Sequence, residues 1–237
     1  MLLYHIRGKS KGNFDPDQSN QTLFLDAIEN ERRIFGLRTI FVPRCNFTNR
    51  VVKYGEENVD WADGLARSRG LADGGIVEDP KVGIAIFNAD CPVVAVHDES
   101  LGKLAVLHAG FRCLIRPNPR EKSIIQTLFE NRGFLPSAVK VFAGYGIGPC
   151  CYGAEHWPEI NDCTRDLPLG RATRGPRAGQ RSVDLYYLIR QQLLEIGVSK
   201  SNMTFDHNCT SCDGGYYYSR CRDGPGSGNN MTMAWLK

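Results

Sequence analysis

The chain has 237 residues, 42% hydrophobic and 23% charged, which suits a folded chain of one or two domains with a sizeable core. Its formal charge of +3 is too small to argue for nucleic acid or an anionic membrane as partner. No apolar run reaches transmembrane length, and "MLLYHIRGKSKGNFD" is too short and too polar for a secretory signal, so the expectation is a soluble, cytoplasmic protein.

In chain order, "NQTLFLDAIENERRIFGL" predicts a helix, with Leu23, Ala27, Ile28, Ile34 and Leu37 at roughly helical spacing and Gly36 at its end. "IFVPRC" and "RVVKYG" read as short strands. "KVGIAIFNADC" and "LGKLAVLHAGF" are aliphatic runs bounded by Gly or polar residues and give the clearest strands. "HDESLGK" supplies a hairpin-like turn between "CPVVAVH" and "LAVLHAG". "EKSIIQTLFENRGF" predicts a helix with Ile124, Leu128 and Phe129 on one face, and "VKVFAGYGIGPCC" a strand entering a Gly-rich loop.

"DLPLGRATRGPRAGQRS" is an exposed loop. "SVDLYYLIRQQLLEIGV" is the most regular helix, capped by Ser182 or Asp184 and closed by Gly197, with Leu185, Leu188, Ile189 and Leu193 as its stripe. "TFDHNCT" and "MTMAWL" complete the strands. Without strict βα alternation, this order argues for an α+β fold.

The stretch "NADCPVVAVHDESLGKLAVLHAGFRC" carries most of the chemistry. Cys91 opens one apolar strand and His108 ends the next. Thiolate sulfur and imidazole nitrogen are zinc ligands, and neighbouring strand ends can aim both at one ion. Spacing alone favours core or surface roles. Gly110, which lets a ligand approach the backbone, and Arg112, a ready anion fork, shift the balance. Asp90 either orients a ligand or ends the strand.

There are nine cysteines, an odd count without an export signal, so reduced thiols are expected rather than a disulfide framework. Cys209 and Cys212 form "CTSC", but with no second C-x-x-C pair, even with Cys221 added, dispensable thiols are the better reading than a zinc or redox pair. "GYGIGPCCYG" lacks the Lys of a P-loop, and its "PCCY" fails the P-C-x-x-C spacing of a zinc deaminase. Five histidines are too few for coupled copper centres. His97, His156 and His207 read as solvent-facing or loop histidines.

"NADCPVV" followed by "AVLHAGFRC" resembles the "TADC-P" and "HAGWRG" motifs of the laccase-domain family, also called the YfiH-like or polyphenol-oxidase family. Further segments resemble the family in order: "RGKSKGNF", "IENERRIFGL", "ADGGIVEDPKVGIAI", "GIGPCCYGAE", "SVDLYYLIRQQLLEIGV" and "NCTSCDGGYYYSRCRDGPGSGNNMTMAWL". The resemblance implies one α+β domain over residues 1–237, with mixed β-sheets layered against helices. It also implies zinc-dependent phosphorolysis of a purine nucleoside, adenosine or inosine, to free base and ribose 1-phosphate. It leaves any protein partner unknown.

In that family, zinc is held by a His of a "QvHg" motif, the Cys of "ADC" and the His of "HAG". The last two correspond to Cys91 and His108. The first falls on Phe47 in "PRCNFTNRVV". Cys45, two residues earlier, either replaces the missing ligand or packs in the core. The resemblance puts Arg112 on the phosphate, Asp90 behind the ligands, and Arg7, Ser219 and Arg222 around the substrate. Phe111 replaces a Trp, Cys113 a Gly, Gly153 an acid, and Cys221 and Asn229 two arginines. These departures leave open a non-catalytic member that binds a nucleoside or a protein partner; a copper polyphenol oxidase is a remoter alternative.

Overall fold

The computed structural model describes residues 2–7, 21–56, 58–62, 64–115, 121–153 and 169–237, with backbone alone for 2–7, 21–24 and 62. Two six-stranded sheets lie face to face. In chain order their strands are β1 (Leu2–Arg7), β2 (Thr39–Arg44), β3 (Val51–Lys53), β4 (Val59–Ala62), β5 (Leu65–Leu71), β6 (Gly74–Val77), β7 (Val82–Asn88), β8 (Val93–Asp98), β9 (Lys103–His108), β10 (Val139–Ala143), β13 (Met203–Phe205) and β14 (Asn230–Leu236). A two-residue pair, β11 (Gly170–Arg171) and β12 (Arg181–Ser182), closes a separate hairpin in the Arg-rich loop. The first sheet runs β1-β14-β7-β2-β5-β4 and the second β13-β10-β8-β9-β6-β3. Both mix parallel and antiparallel pairs.

Alternate residues of the central strands explain the layering. Val93, Ala95, Leu104 and Val106 point to the core between the sheets, with Phe41, Ile84, Ile86 and Ala234 from the other side. Val94, Val96, Ala105 and Leu107 point the opposite way, towards the helices α3 (Ile124–Arg132) and α4 (Leu185–Ile196). The outer face of the first sheet is covered by α1 (Gln21–Ile34) through Ile28. Strands buried on both faces read as unbroken aliphatic runs. Ser123 caps α3 in a reciprocal box with Gln126, and Asp184 caps α4 through the N–H groups of Tyr186 and Tyr187.

Two expectations are corrected. Ile34 is 57% exposed whereas Ile28 is buried. Six residues of α-helix turn through about 600°, which leaves Ile34 roughly 120° away from Ile28. His97 is buried rather than facing solvent, because it shares the face of β8 that Val93 and Ala95 turn to the core between the sheets. Burial lowers its pKa and favours the neutral ring. His207 is exposed and stacks on Phe205, whereas His156 lies outside the described residues.

β8 and β9 pair antiparallel with Val93 opposite His108. That register brings the segment holding Asp90 and Cys91 alongside the end of β9. The Ala109 N–H bonds to the Pro92 carbonyl, and the Asn88 side chain bonds to the Cys91 carbonyl.

Candidate functional site around His108

Asp73, in the bend between β5 and β6, is fully buried and organises the site. Oδ1 accepts from the backbone N–H of Asn46 at 3.1 Å and of Phe47 at 2.9 Å. Oδ2 accepts from the Thr48 N–H and from the Thr48 hydroxyl at 2.9 Å. A run of three consecutive N–H groups thus wraps one carboxylate. The wrap holds Phe47 and Asn49 at φ +55°, a left-handed conformation that bulky side chains rarely adopt. The same carboxylate reaches His108 Nδ1 at 3.2 Å, and the Asp73 carbonyl accepts the His108 N–H at 2.7 Å.

His108 is buried, with the Cys91 and Cys113 sulfurs in hydrogen-bonding reach of its ring. The structure therefore brings Cys91 and His108 together. Burial opposes charge on the imidazole, but Cys91 and Asp73 outweigh it and hold His108 well above its ordinary pKa. Asp73 is held below the carboxylate range: burial pushes it up, and His108 and the loop N–H groups pull it further down. A Cβ on Gly110 would come within 2.7 Å of Cys91 Sγ, so only glycine lets the chain pass the thiol.

Phe47 covers this group. Its ring centroid lies 5.5 Å from that of His108, and the exposed Arg112 sits 5.8 Å from the Phe47 ring centre, on the helical turn α2 (Phe111–Leu114). Cys45 is nearby: Cys45, Asp73 and His108 each offer a donor atom within 4.8 Å of the others, a set that leaves out Cys91. Burial pushes the Cys45 thiol up to about 12.

The donor chemistry is mixed. A histidine whose Nδ1 rests on a carboxylate has its other nitrogen oriented as metal-binding histidines do, and Cys91 stands at the ring. Against this, both oxygens of Asp73 are already engaged by loop donors, and an aromatic ring rather than a donor group covers His108. A firmly held three-donor zinc does not fit these residues. Copper centres fit less, since His108 is the one histidine in this group.

The other expected site residues brace loops. Asp90, buried and at φ +97°, accepts from the Thr210 hydroxyl at 2.6 Å and from the Cys221 N–H at 2.7 Å. Burial raises its pKa against the pull of Thr210 and Ser219. Asp90 therefore ties the 209–222 segment to the start of β8 rather than orienting His108. Ser219 is fully buried and caps the turn α5 (Arg220–Asp223) by accepting the Arg222 N–H.

Arg222, expected at the substrate wall, has its guanidinium taken up internally. Nε and Nη2 bond to the Asp223 carboxylate, Nη1 to the Thr210 and Ser211 carbonyls, and Nη2 also to the Tyr217 carbonyl. It is a cross-brace, not an anion fork. Arg222→Ala should destabilise the fold by roughly 2–4 kcal/mol, because part-buried carbonyls lose a charged donor. A melting curve as high as the parent's would show the brace to be dispensable. Arg7 lies in β1 opposite Met231, and its side chain lies outside the described residues.

Sequence reasoning missed Asp73 and Cys113. The signal for Asp73 is an acid between an apolar residue and two glycines in "LADGGIV".

Comparison with known proteins agrees with this architecture. YlmD of Geobacillus stearothermophilus, as a solved structure, superposes with a TM-score of 0.76 at 22% identity, covering 100% of this chain and 90% of that one. Among curated proteins, the purine nucleoside phosphorylase YlmD of Bacillus subtilis is 26% identical over 167 residues, 70% of this chain and 59% of its own length. The protein of the same name from G. stearothermophilus is 31% identical over 157 residues, 64% of this chain and 55% of its own. The chain thus spans less than two thirds of these relatives' length. A family model described as multi-copper polyphenol oxidoreductase laccase matches residues 25–237, and the chain belongs to that family.

Proposed function

We propose that this chain processes purine nucleosides, cleaving adenosine or inosine with inorganic phosphate to the free base and ribose 1-phosphate. The observation that carries the reading is the Asp73–His108–Cys91 group beside Arg112, in a chain whose curated relatives are named purine nucleoside phosphorylases. In this reading Asp73 fixes the imidazole, and the protonated His108 and the Arg112 guanidinium offer positive charge to phosphate. Zinc is the cofactor that the motif resemblance implies, and Phe47 stands where that resemblance puts its third ligand. The test is release of base and ribose 1-phosphate from adenosine and inosine, with and without added phosphate and zinc. Phosphate-independent turnover, or none with any nucleoside, would remove the phosphorylase reading.

Arg112→Ala should lower phosphate-dependent cleavage by about tenfold or more, through loss of an interaction with developing charge. As a surface change it should alter stability by only about 0.5 kcal/mol. Equal loss of fold and activity would make Arg112 a structural residue instead.

Phe47 favours a second reading, a non-catalytic member that retains nucleoside binding. Calorimetric binding of adenosine or inosine without turnover is its signature.

No helix among the described residues is long and apolar enough to cross a membrane.

A further inference from the structure

A second cysteine group lies apart from His108. Cys150 and Cys151 sit in the loop after β10, and Cys209 and Cys212 in the loop after β13. Their four sulfurs all lie within 4.8 Å of one another. The distance from Cys212 Sγ is 3.6 Å to Cys150 and 3.5 Å to Cys151. We propose that these four thiolates bind one zinc ion, a structural tetrathiolate site that clasps the two loops.

Geometry selects this ligand. With Zn–S bonds of about 2.3 Å, the edges of a tetrahedral site are about 3.8 Å. A disulfide needs about 2.05 Å, so the measured separations are non-bonded. An iron–sulfur cluster interposes several iron and sulfide atoms and spreads its thiolates further than 4.8 Å allows. The set is closed by four protein donors, as in structural zinc sites.

The surroundings suit a negatively charged metal–thiolate centre. The Gly148 N–H donates to Cys209 Sγ at 3.2 Å. The Arg174 side chain hydrogen-bonds to Cys212. The buried Ser211 hydroxyl has no oxygen or nitrogen partner among the described residues and lies against Cys151, placed to donate to a thiolate. Cys212 is exposed, which gives the ion an entry path, while Cys151 and Cys209 are buried.

The clasp spans 62 residues between Cys150 and Cys212. It would hold the loops that contact Asp90, since Ile147 N–H bonds to the Asp90 carbonyl and Thr210 to its carboxylate. The inference does not depend on the nucleoside reading.

The test is metal content of the whole chain purified in zinc-supplemented medium. One zinc per chain should be lost in Cys212→Ser and in Cys150→Ser, and kept in Cys91→Ser. The Cys91 control separates this site from any ion at His108. If the serine variants do not fold, cobalt titration of the parent chain decides: the proposal requires strong thiolate-to-cobalt charge transfer and tetrahedral d–d bands at one equivalent. Zinc kept in Cys212→Ser would overturn the proposal. So would a parent chain with no bound metal whose four cysteines react as free thiols or run as disulfides by mass spectrometry, or a coloured iron-bound chain.

Discussion

Phe47→His should raise zinc binding and nucleoside cleavage together. The parent offers Cys91 and His108 at the expected ligand positions, with Phe47 over them. An aromatic ring cannot coordinate zinc, and its bulk excludes the water that would otherwise complete the shell. Loss of a residue that merely orients a ligand typically costs about 10–100-fold in affinity or activity, so restoring a ligand should gain on the order of 100-fold or more. The backbone is prepared for the change. Position 47 is held at φ +55° by main-chain bonds to Asp73, which do not depend on the side chain. Histidine enters that left-handed region more readily than most residues. Phe47 is also 37% exposed, so little core packing is lost. Metal analysis should show one more zinc per chain than the parent, and base release should rise with it. Zinc without activity would implicate the arginines replaced by Cys221 and Asn229. Neither gain would mean that Phe47 does not stand at the ligand position.

The elements legible in the sequence were those buried on both faces or capped by side chains. β7, β8, β9 and β14 are aliphatic runs because both their faces are covered; α3 shows in its Ile124, Leu128 and Phe129 face, and α4 in its stripe and its Asp184 cap. β5, "LARSRGL", and β6, "GGIV", were not legible: one carries charges on its outer positions, and the other lacks side chains where it lies against β9. At the site, Cys91 and His108 could be placed because strand pairing is local. Asp73 could not, because its partners lie 25 to 35 residues away and most are main-chain N–H groups, which leave no pattern in the sequence. The bracing bonds of Arg222 are hidden for a related reason. A guanidinium suits a phosphate or a set of carbonyls equally well, and only the fold decides which it meets. The cysteine group escaped a search for two C-x-x-C pairs because its second pair is the vicinal "CC" of "GPCCYG".

Asp73→Asn should unfold the chain at a markedly lower temperature, with a characteristic pH dependence. Both carboxylate oxygens of Asp73 accept from donors: Oδ1 from Asn46, Phe47 and His108, and Oδ2 from Thr48. An amide has one accepting oxygen, so in either orientation its NH₂ group faces N–H donors. Leaving one member of a buried pair uncompensated costs on the order of 3–5 kcal/mol. For a chain of this size that is a fall in Tm of roughly 10 °C.

The sign at each end of the pH range follows from the two partners. Asp73 has a lowered folded pKa, so its contribution is present above the unfolded value of 3.8 and is lost as pH falls through the folded value. His108 has a raised folded pKa, so its contribution is present below the unfolded value of 6.5 and is lost as pH rises through the folded value. The gap in Tm between parent and Asp73→Asn should therefore be widest between those two unfolded values. It should narrow towards acid as Asp73 protonates and towards alkali as His108 loses its proton. NMR titration should show the His108 pKa falling in the variant, though not to the ordinary value, since Cys91 still faces the ring. A gap that is small and flat across the whole range, with the His108 titration unmoved, would show that Asp73 neither supports the 46–48 loop nor sets the charge on His108.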